Sequence, residues 1–457
     1  WVLTGDNRYA QIAANVFDTY MTGIYYRNVP YDLNHGHQQT LVGMASFEVI
    51  HEDILHSLAA IYDYLRPWLM ENKPDKKEIY DAAFKKWADN IINNGVPHNN
   101  WDLMQLRFIL SAALTLDSDT AYADGKGREF YASYILDKSS IRQWSLRDLA
   151  AFGFDPETGV WGECAGYSLG VVSDFTELTM LLDRHLGIDL VAEIPIIADA
   201  VEAVHQYLFP DGRVIGFGDT HPGTLSRVNV ERMIDNAQHF NKPKQEELFR
   251  RLLGVFDGML PQDSVVTPTF YAPNASWLVV RNGMDSERSL MFALNASKGN
   301  HMHATGLSME LYGRDYRLGP DAGIGKKLYS GQDYQEYYSQ FPAHNTVCVD
   351  GISSYPVMSS NHAMKVDACY PAPAFKTAYR PIQFVQASFR EPETDASQCR
   401  QLALITTSDS TGYYVDVFRS RKNDGDDRTH DYFYHNMGQR MTVTSVDGHD
   451  LQFAPSE

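Results

Sequence analysis

The chain has 457 residues, with 39 Lys and Arg against 58 Asp and Glu, a formal charge of −19, 44% hydrophobic and 21% charged residues. This balance belongs to a folded globular protein and excludes a disordered or fibrous chain; the length allows about two to four domains with large cores. The acidic excess argues against a broad nucleic-acid surface, and no run approaches the ~20 apolar residues of a membrane span.

Four scattered cysteines are too few for a disulfide scaffold or a paired-cysteine metal knuckle. The sequence opens on Trp1 in what reads as the middle of an ordered domain and stops as abruptly at "LQFAPSE". Both true ends, and any targeting signal, are expected to lie outside it.

Up to about residue 260, apolar residues recur every three to four positions, the signal of amphipathic helices. Such stretches cover 48–65, 101–116, 175–186, 194–208 and 244–260, joined by short loops carrying Gly, Pro and Asn, as in stacked helical hairpins. The segment "FDGMLPQDSVVTPTFYAP" holds three prolines and reads as a linker. Beyond residue 264 the pattern alternates with period two, at 276–280, 307–311, 345–349, 401–406 and 413–418. Helices followed by strands predict an all-α domain over 1–260 and an antiparallel β domain over 264–457.

Six segments concentrate groups able to do chemistry. In "DLNHGHQQTLVG", His35, His37 and Gln38 offer partners for sugar hydroxyls. In "VPHNNWDLMQLRF", Asn99 or Asn100 stands where a helix N-cap belongs; a second Asn exceeds what a cap needs, and an amide at the positive end of a helix suits a carboxylate ligand. Trp101 and Arg107 follow as candidate substrate contacts. In "GVWGECAGYSLG", Trp161, Glu163 and Tyr167 surround a glycine-rich turn, where aromatic and acidic groups are expected to be exposed to a ligand. "FGDTHPGTL" and "HDYFYHNMG", the latter with Tyr434, are dense polar-aromatic segments.

The strongest signal is "GNHMHATGLSMELYGRDYRLGPDAGIG", followed by "FPAHNTVCVDG". His301 and His303 are two apart and share a face of any strand. With Asp321 and His344 they supply enough N and O donors to surround a divalent ion, Zn²⁺ being the first choice. Any one histidine alone is more often a satisfied polar residue.

At these residues the sequence resembles the heparinase II/III-like polysaccharide lyases, including the alginate lyases of the same architecture. The resemblance is carried by "HMHATGLSMELYGRDYRLGPDAG", "HNTVCVDG", "GECAGYSLG", "HNNWDL" and "FGDTHPG". It implies an α+β multidomain fold, an incomplete (α/α) toroid followed by an antiparallel β-sandwich, and β-elimination on uronic-acid polysaccharides in the periplasm or outside the cell. Carried over, Tyr167 and His301 look like the catalytic pair, Asn100 (or Asn99) like the amide that neutralises the uronate, and His303, Asp321 and His344 like the ligands of a bracing Zn²⁺. Trp101 and Thr305 depart from the family pattern, which often has His and Asp there.

The chemistry suits these residue types. Removing the C5 proton of a 4-O-linked uronate builds charge on the carboxylate, which an amide can stabilise. Tyr167 would take the proton as phenolate if a cationic neighbour lowered its pKa; for the C5 epimer, His301 from an opposite wall would be the base. A glycoside hydrolase using Glu163 and Asp219, or a non-catalytic glycan binder, are the alternatives. The acidic composition tilts the expected substrate towards alginate, ahead of heparin, heparan sulfate or another glycosaminoglycan.

Overall fold

The computed structural model describes residues 1–26, 53–329, 331–352, 358–373, 375, 381–422, 424–438 and 440–451. His35, His37 and Gln38 lie outside the described residues. The helices are α1 (Asn7–Tyr26), α2 (Asp53–Asn72), α3 (Lys77–Asn94), α4 (Asn100–Thr115), α5 (Arg128–Asp137), α6 (Leu146–Gly153), α7 (Ala165–Leu186), α8 (Leu190–Glu193), α9 (Ile196–Ala203), α10 (Arg227–His239) and α11 (Pro243–Phe256). The residues divide into two compact units: Trp1–Gly159, Gly170–Ala200 and Ser226–Arg250 form one; Val160–Leu169, Val201–Leu225 and Arg251–Glu457 form the other.

The first unit is helical. Its starts are set by side-chain caps: Asn99 Oδ1 accepts from Trp101 N, Ser145 Oγ from Asp148 N and Ser226 Oγ from Val228 N, each answering a backbone donor that the helix cannot. Phe17 of α1 stacks on Tyr62 of α2 at 5.4 Å and meets Tyr80 of α3 edge-on at 5.0 Å. Helix α4 is the most deeply buried, with Leu103, Leu106, Ile109 and Leu110 fully inside. The α7 helix begins ten residues before the apolar period of 175–186 does, because Gly166, Ser168 and Gly170 dilute the pattern there. The helix expected over 194–208 ends at Ala203 and continues as a 3₁₀ turn to Tyr207. Pro210 biases Phe209 towards an extended backbone, and the chain leaves the helix before it.

The second unit is built on two antiparallel sheets. The strands are β1 (Thr269–Ala272), β2 (Trp277–Arg281), β3 (Leu290–Asn295), β4 (Lys298–Met302), β5 (Ser308–Gly313), β6 (Tyr316–Gly319), β7 (Val347–Val349), β8 (Met358–Asn361), β9 (Lys365–Tyr370), β10 (Ile382–Arg390), β11 (Ser397–Ser408), β12 (Thr411–Arg421) and β13 (His430–Tyr432). One sheet runs β1-β2-β3-β5-β6 and the other β12-β11-β10-β9; β4 pairs with β8 and β7 with β13. Leu278, Phe292, Leu294 and Met309 from the first sheet share a core with Val385, Phe389, Leu402 and Leu404 from the second. Strict alternation in β10 and β11 turns their other residues outward.

Strands β2, β3 and β5 are buried on both faces. Their second face is covered by the segment 201–225: Tyr207 packs on Trp277 at 5.4 Å, Phe209 stacks on Tyr312 at 5.7 Å, and the Arg281 guanidinium donates to Gln206 O. That segment therefore groups with the sheets although it stands among helices in the sequence.

Within it, His205 is 2% exposed, its ring nitrogens have no hydrogen-bond partner among the described residues, and its ring meets Phe256 edge-on at 5.7 Å. Burial lowers its pKa to about 4. A depressed histidine makes the folded state bind fewer protons than the unfolded one between pH 6.5 and 4, so stability is full above the unfolded value and falls as pH drops through this window. Denaturant unfolding at pH 7 and pH 4 should differ by roughly 3 kcal/mol from this group, and His205→Leu should remove that part of the difference.

Candidate functional site

The centre of the second unit's polar cluster is Asp219, whose buried carboxylate accepts four hydrogen bonds. His303 Nε2 and Tyr334 Oη donate to Oδ1 at 2.9 and 2.6 Å; His301 Nδ1 and Tyr329 Oη donate to Oδ2 at 3.1 and 2.9 Å. Four donors fill the acceptor capacity of a carboxylate. Burial opposes its charge, but the hydrogen bonds from His301, His303 and Tyr334 outweigh it and hold the carboxyl far below the usual range. The two tyrosines are displaced the other way, by burial and then the adjacent carboxylate, and stay protonated as donors.

Three local features bring these groups together. Gly218 has φ +70°, and a Cβ there would lie 2.4 Å from His301 O; only glycine lets the 217–219 segment approach closely enough for Asp219 N to donate to that carbonyl at 2.9 Å. His301 itself has φ +58°, where the β4–β8 pairing shifts register between Asn300 and Met302. This bulge, rather than strand alternation, is what aims His301 and His303 at one carboxylate, and such a conformation costs on the order of 1–3 kcal/mol. Finally, residues 162–164 run beside β4, with Asn300 N donating to Gly162 O and Cys164 N to Asn300 O, both at 3.0 Å. Gly166 N donates to Thr220 Oγ1 at 3.1 Å, so the first turn of α7 is tied both to β4 and to the Asp219 loop.

Tyr167 lies in that first turn. Its ring stacks on His301 with centroids 3.6 Å apart and planes 11° from parallel, and its hydroxyl lies 3.1 Å from Tyr329 Oη. The two rings are thus in contact, not on opposite walls with space between them. Nor is the phenol primed as a phenolate: burial raises its pKa by more than the Tyr329 hydrogen bond lowers it, and the Asp219 charge adds a further, smaller rise. The sequence expectation of a cation-lowered tyrosine is corrected by this environment. His301 Nδ1 faces Asp219 and Tyr329 (2.7 Å), so a proton held on Nδ1 leaves Nε2 as the basic nitrogen.

The expected metal residues lie close by. His344 Nδ1 faces Asp321 Oδ2 at 2.7 Å, and the His303 and His344 rings are 5.4 Å apart. Each histidine has one nitrogen engaged by a carboxylate and the other, His303 Nδ1 and His344 Nε2, buried without a partner among the described residues. A lone pair on each of these nitrogens fits the donor chemistry of a bound Zn²⁺, with Asp219 and Asp321 fixing the tautomers from behind. Among the described residues no three His, Cys, Asp or Glu are already arranged to hold an ion. The Asp321 loop is held by Glu310, which accepts from Gly216 N at 2.6 Å and Asp321 N at 3.2 Å and is raised by burial to about 7. Asn345 donates to Met309 O, Gly319 O and Pro320 O, and buried Arg400 donates to Leu307 O and Asn345 O, bracing the chain next to His344.

The other expected contacts are distributed differently. Asn99 is committed to its cap, and Asn100 is the first residue of α4 in the first unit. Trp101 is half-buried there, and Arg107 pairs with Asp174 at 2.9 Å and Glu177 at 3.6 Å. The turn expected to be exposed is not: Trp161 and Glu163 are 2% and 1% exposed, because 162–164 pairs with β4. Tyr434 is 39% exposed and stacks on Tyr432 at 6.4 Å. Asp219, noticed only as a hydrolase carboxylate, and Tyr329 and Tyr334, not singled out at all, are the site residues that sequence reasoning missed. The density of "FGDTH" and "KKLYSGQDYQEYY" was the signal available.

Residues 157–258 match the second domain of an endo-acting ulvan lyase, and residues 265–415 match the heparinase II/III-like C-terminal family. An endo-acting ulvan lyase of Formosa agariphila is 25% identical over 521 aligned residues, which cover all of this chain and 62% of that protein. Among solved structures, a heparinase III (the BT4657 gene product) superposes with a TM-score of 0.62 at 14% identity, over 97% of this chain and 65% of that one. The heparan sulfate lyase HepC from Pedobacter heparinus gives 0.56 at 16%, over 92% and 59%. The chain therefore spans about three-fifths of the length of these relatives. The structural likeness gives the fold, an incomplete (α/α) toroid followed by an antiparallel β-sandwich.

The four-donor carboxylate sets a measurable expectation. Asp219→Asn turns an NH₂ towards two donors and leaves them unpaired, which should lower unfolding stability by about 1–3 kcal/mol. Asp219→Ala, stranding all four, should cost more. Denaturant titration of the three proteins tests the order.

Proposed function

We propose that the chain, whose residues 265–415 match the heparinase II/III-like C-terminal family, is a polysaccharide lyase cleaving 4-O-linked uronates by β-elimination. The observation that carries this reading is the face-to-face contact of Tyr167 and His301 above Asp219. His301 Nε2 takes the C5 proton, the C4–O4 bond breaks as the C4=C5 bond forms, and the protonated Tyr167 hydroxyl gives its proton to the leaving O4. Tyr329 Oη, between Tyr167 Oη and His301 Nδ1, offers a route for returning that proton. Asp219 keeps the imidazole oriented, the role a buried carboxylate plays behind a catalytic histidine. Asn100 is our candidate for the amide that neutralises the uronate carboxylate, since Asn99 serves the helix cap.

Stacked rings address one face of a sugar. Base and acid on the same face suit a syn elimination, in which the C5 hydrogen and O4 lie on the same side, as in glucuronate and mannuronate. Iduronate and guluronate place them on opposite sides. For the polymer, the match to an ulvan lyase over 157–258 favours an ulvan-type substrate. Alginate, which the acidic composition favours, is the second reading. A polymer of this size is met in the periplasm or outside the cell, and no described helix is long and apolar enough to cross a membrane.

We further propose that His303 Nδ1 and His344 Nε2 hold Zn²⁺ as a brace, with Asp321 orienting His344 from behind rather than ligating; when bound it would cross-link the His303 segment to the loop before β7. Chelation should then lower the melting temperature. Loss of turnover with unchanged melting would overturn the bracing role.

The reaction is read directly from near-ultraviolet absorbance of the new C4=C5 bond, with reducing ends measured in parallel to expose a hydrolase. Ulvan, heparan sulfate, hyaluronan, chondroitin, poly-mannuronate and poly-guluronate form the panel. Tyr167→Phe should reduce turnover by at least about 100-fold with the fold intact, in line with the loss of a positioned general acid. Glucuronate- or mannuronate-type linkages should be cleaved at least tenfold faster than their C5 epimers. A Tyr167→Phe variant of near-normal rate would refute the assignment.

A further inference from the structure

We propose a second carbohydrate-binding site in the second unit, for one acidic sugar residue, in the cleft where three hairpin tips of the sandwich meet. The cleft has a volume of about 480 Å³ and is formed by the β2–β3, β5–β6 and β11–β12 connections. Its floor is apolar, Leu290 and Leu318. Gly313 and Gly412 border it, and a Cβ at either would lie 2.8 or 2.5 Å from a Leu290 methyl, so no side chain occupies these edges. Tyr316 stands on the rim, 67% exposed.

Two cations line the cleft. Arg314 is held in place by donating from Nε and Nη2 to Ser410 O, at 3.2 and 2.7 Å. Arg288 is exposed, and among the described residues its guanidinium has no hydrogen-bond or ion-pair partner. The tips also carry Asp285, Glu287, Asp315 and Asp409, but no carboxylate is among the lining residues, and Asp285 Oδ1 is taken up by the N–H groups of Glu287 and Arg288, both at 3.0 Å. An exposed phenol ring beside an apolar floor suits the C–H face of a sugar. Arginines at its edge suit a carboxylate or sulfate, which a guanidinium binds through paired N–H donors. Neutral sugars gain nothing from them.

The cleft is at the far end of the strands from the Asp219 cluster. Leu290 begins β3 and Gly313 ends β5, while the opposite ends of these strands, Asn295 and Ser308, adjoin the segment carrying His301 and His303. Six residues of strand span about 17 Å, so a polymer reaching both places is held at two points, and effective concentration favours the second contact once the first is made. This inference rests on the reading of the substrate as an acidic polysaccharide.

The test uses the intact chain with Tyr167→Phe, in native gels containing ulvan, heparan sulfate or alginate, with neutral dextran as control. At least one acidic polymer should retard it and dextran should not. Arg288→Ala and Tyr316→Ala should each weaken that retardation several-fold, and Arg288→Glu more. In the active protein, Arg288→Ala should raise KM on polymer several-fold, with kcat and the kinetics on a tetrasaccharide unchanged. Equal retardation of Arg288→Ala, Arg288→Glu and parent in every acidic gel, or equal retardation by dextran, would overturn the site. If Tyr167→Phe retained full turnover, the catalytic assignment would fall while the gels still decided the cleft.

Discussion

The arrangement of the site depends on one buried anion. Asp219 stands within hydrogen-bonding distance of two imidazoles and two phenols, and its charge is kept because all four donate to it. Removing a carboxylate from water is expensive, and only a full complement of donors offsets that cost. The consequence is geometric: His301, His303, Tyr329 and Tyr334 cannot turn away without abandoning a buried charge. The strained backbone of His301 is tolerated for the same reason.

That constraint also divides labour between Tyr167 and His301. A phenol near a fixed negative charge and partly out of water keeps its proton. In the proposed reaction the tyrosine is therefore the acid, and the imidazole in contact with it is left the role of base. The sequence reading assigned the proton-abstracting role first to the tyrosine because it had no way to see which charge lay beneath the pair.

The legibility of the rest follows the range of the interactions. The cap at Asn99 and the buried helix behind it are local, and the residue pattern contains them. The alternation of β10 and β11 is equally readable, since one face is buried and one is not. His301, His303 and Tyr167 stand out by type and spacing. Asp219 does not, because it meets His301 across 82 residues of sequence, through an approach that only Gly218 permits. The expected exposure of Trp161 and Glu163 failed for a related reason: a glycine-rich turn reads as surface until a strand elsewhere pairs with it. The segment 201–225 begins inside the stretch 194–208 whose apolar period reads as helix, and its allegiance to the sheet is set by Tyr207 and Phe209 finding Trp277 and Tyr312.

The same device recurs one step away. His303 is engaged by Asp219 and His344 by Asp321, and in each case the carboxylate occupies one ring nitrogen and leaves the other buried, without a partner among the described residues. Two orphaned imidazole nitrogens 0% exposed side by side are costly in an apolar setting, and a protein gains nothing from them unless something else is meant to meet them. Glu310, Asn345 and Arg400 add hydrogen bonds that hold the Asp321 loop and the chain at His344, a rigidity that backbone packing alone does not demand. Asp219 thus faces both ways: through His301 it meets the pair proposed to transfer the proton, and through His303 the pair proposed to bind the ion. A change at this one position is transmitted to both, which ties the chemistry of the site to the integrity of the sheet edge that carries it.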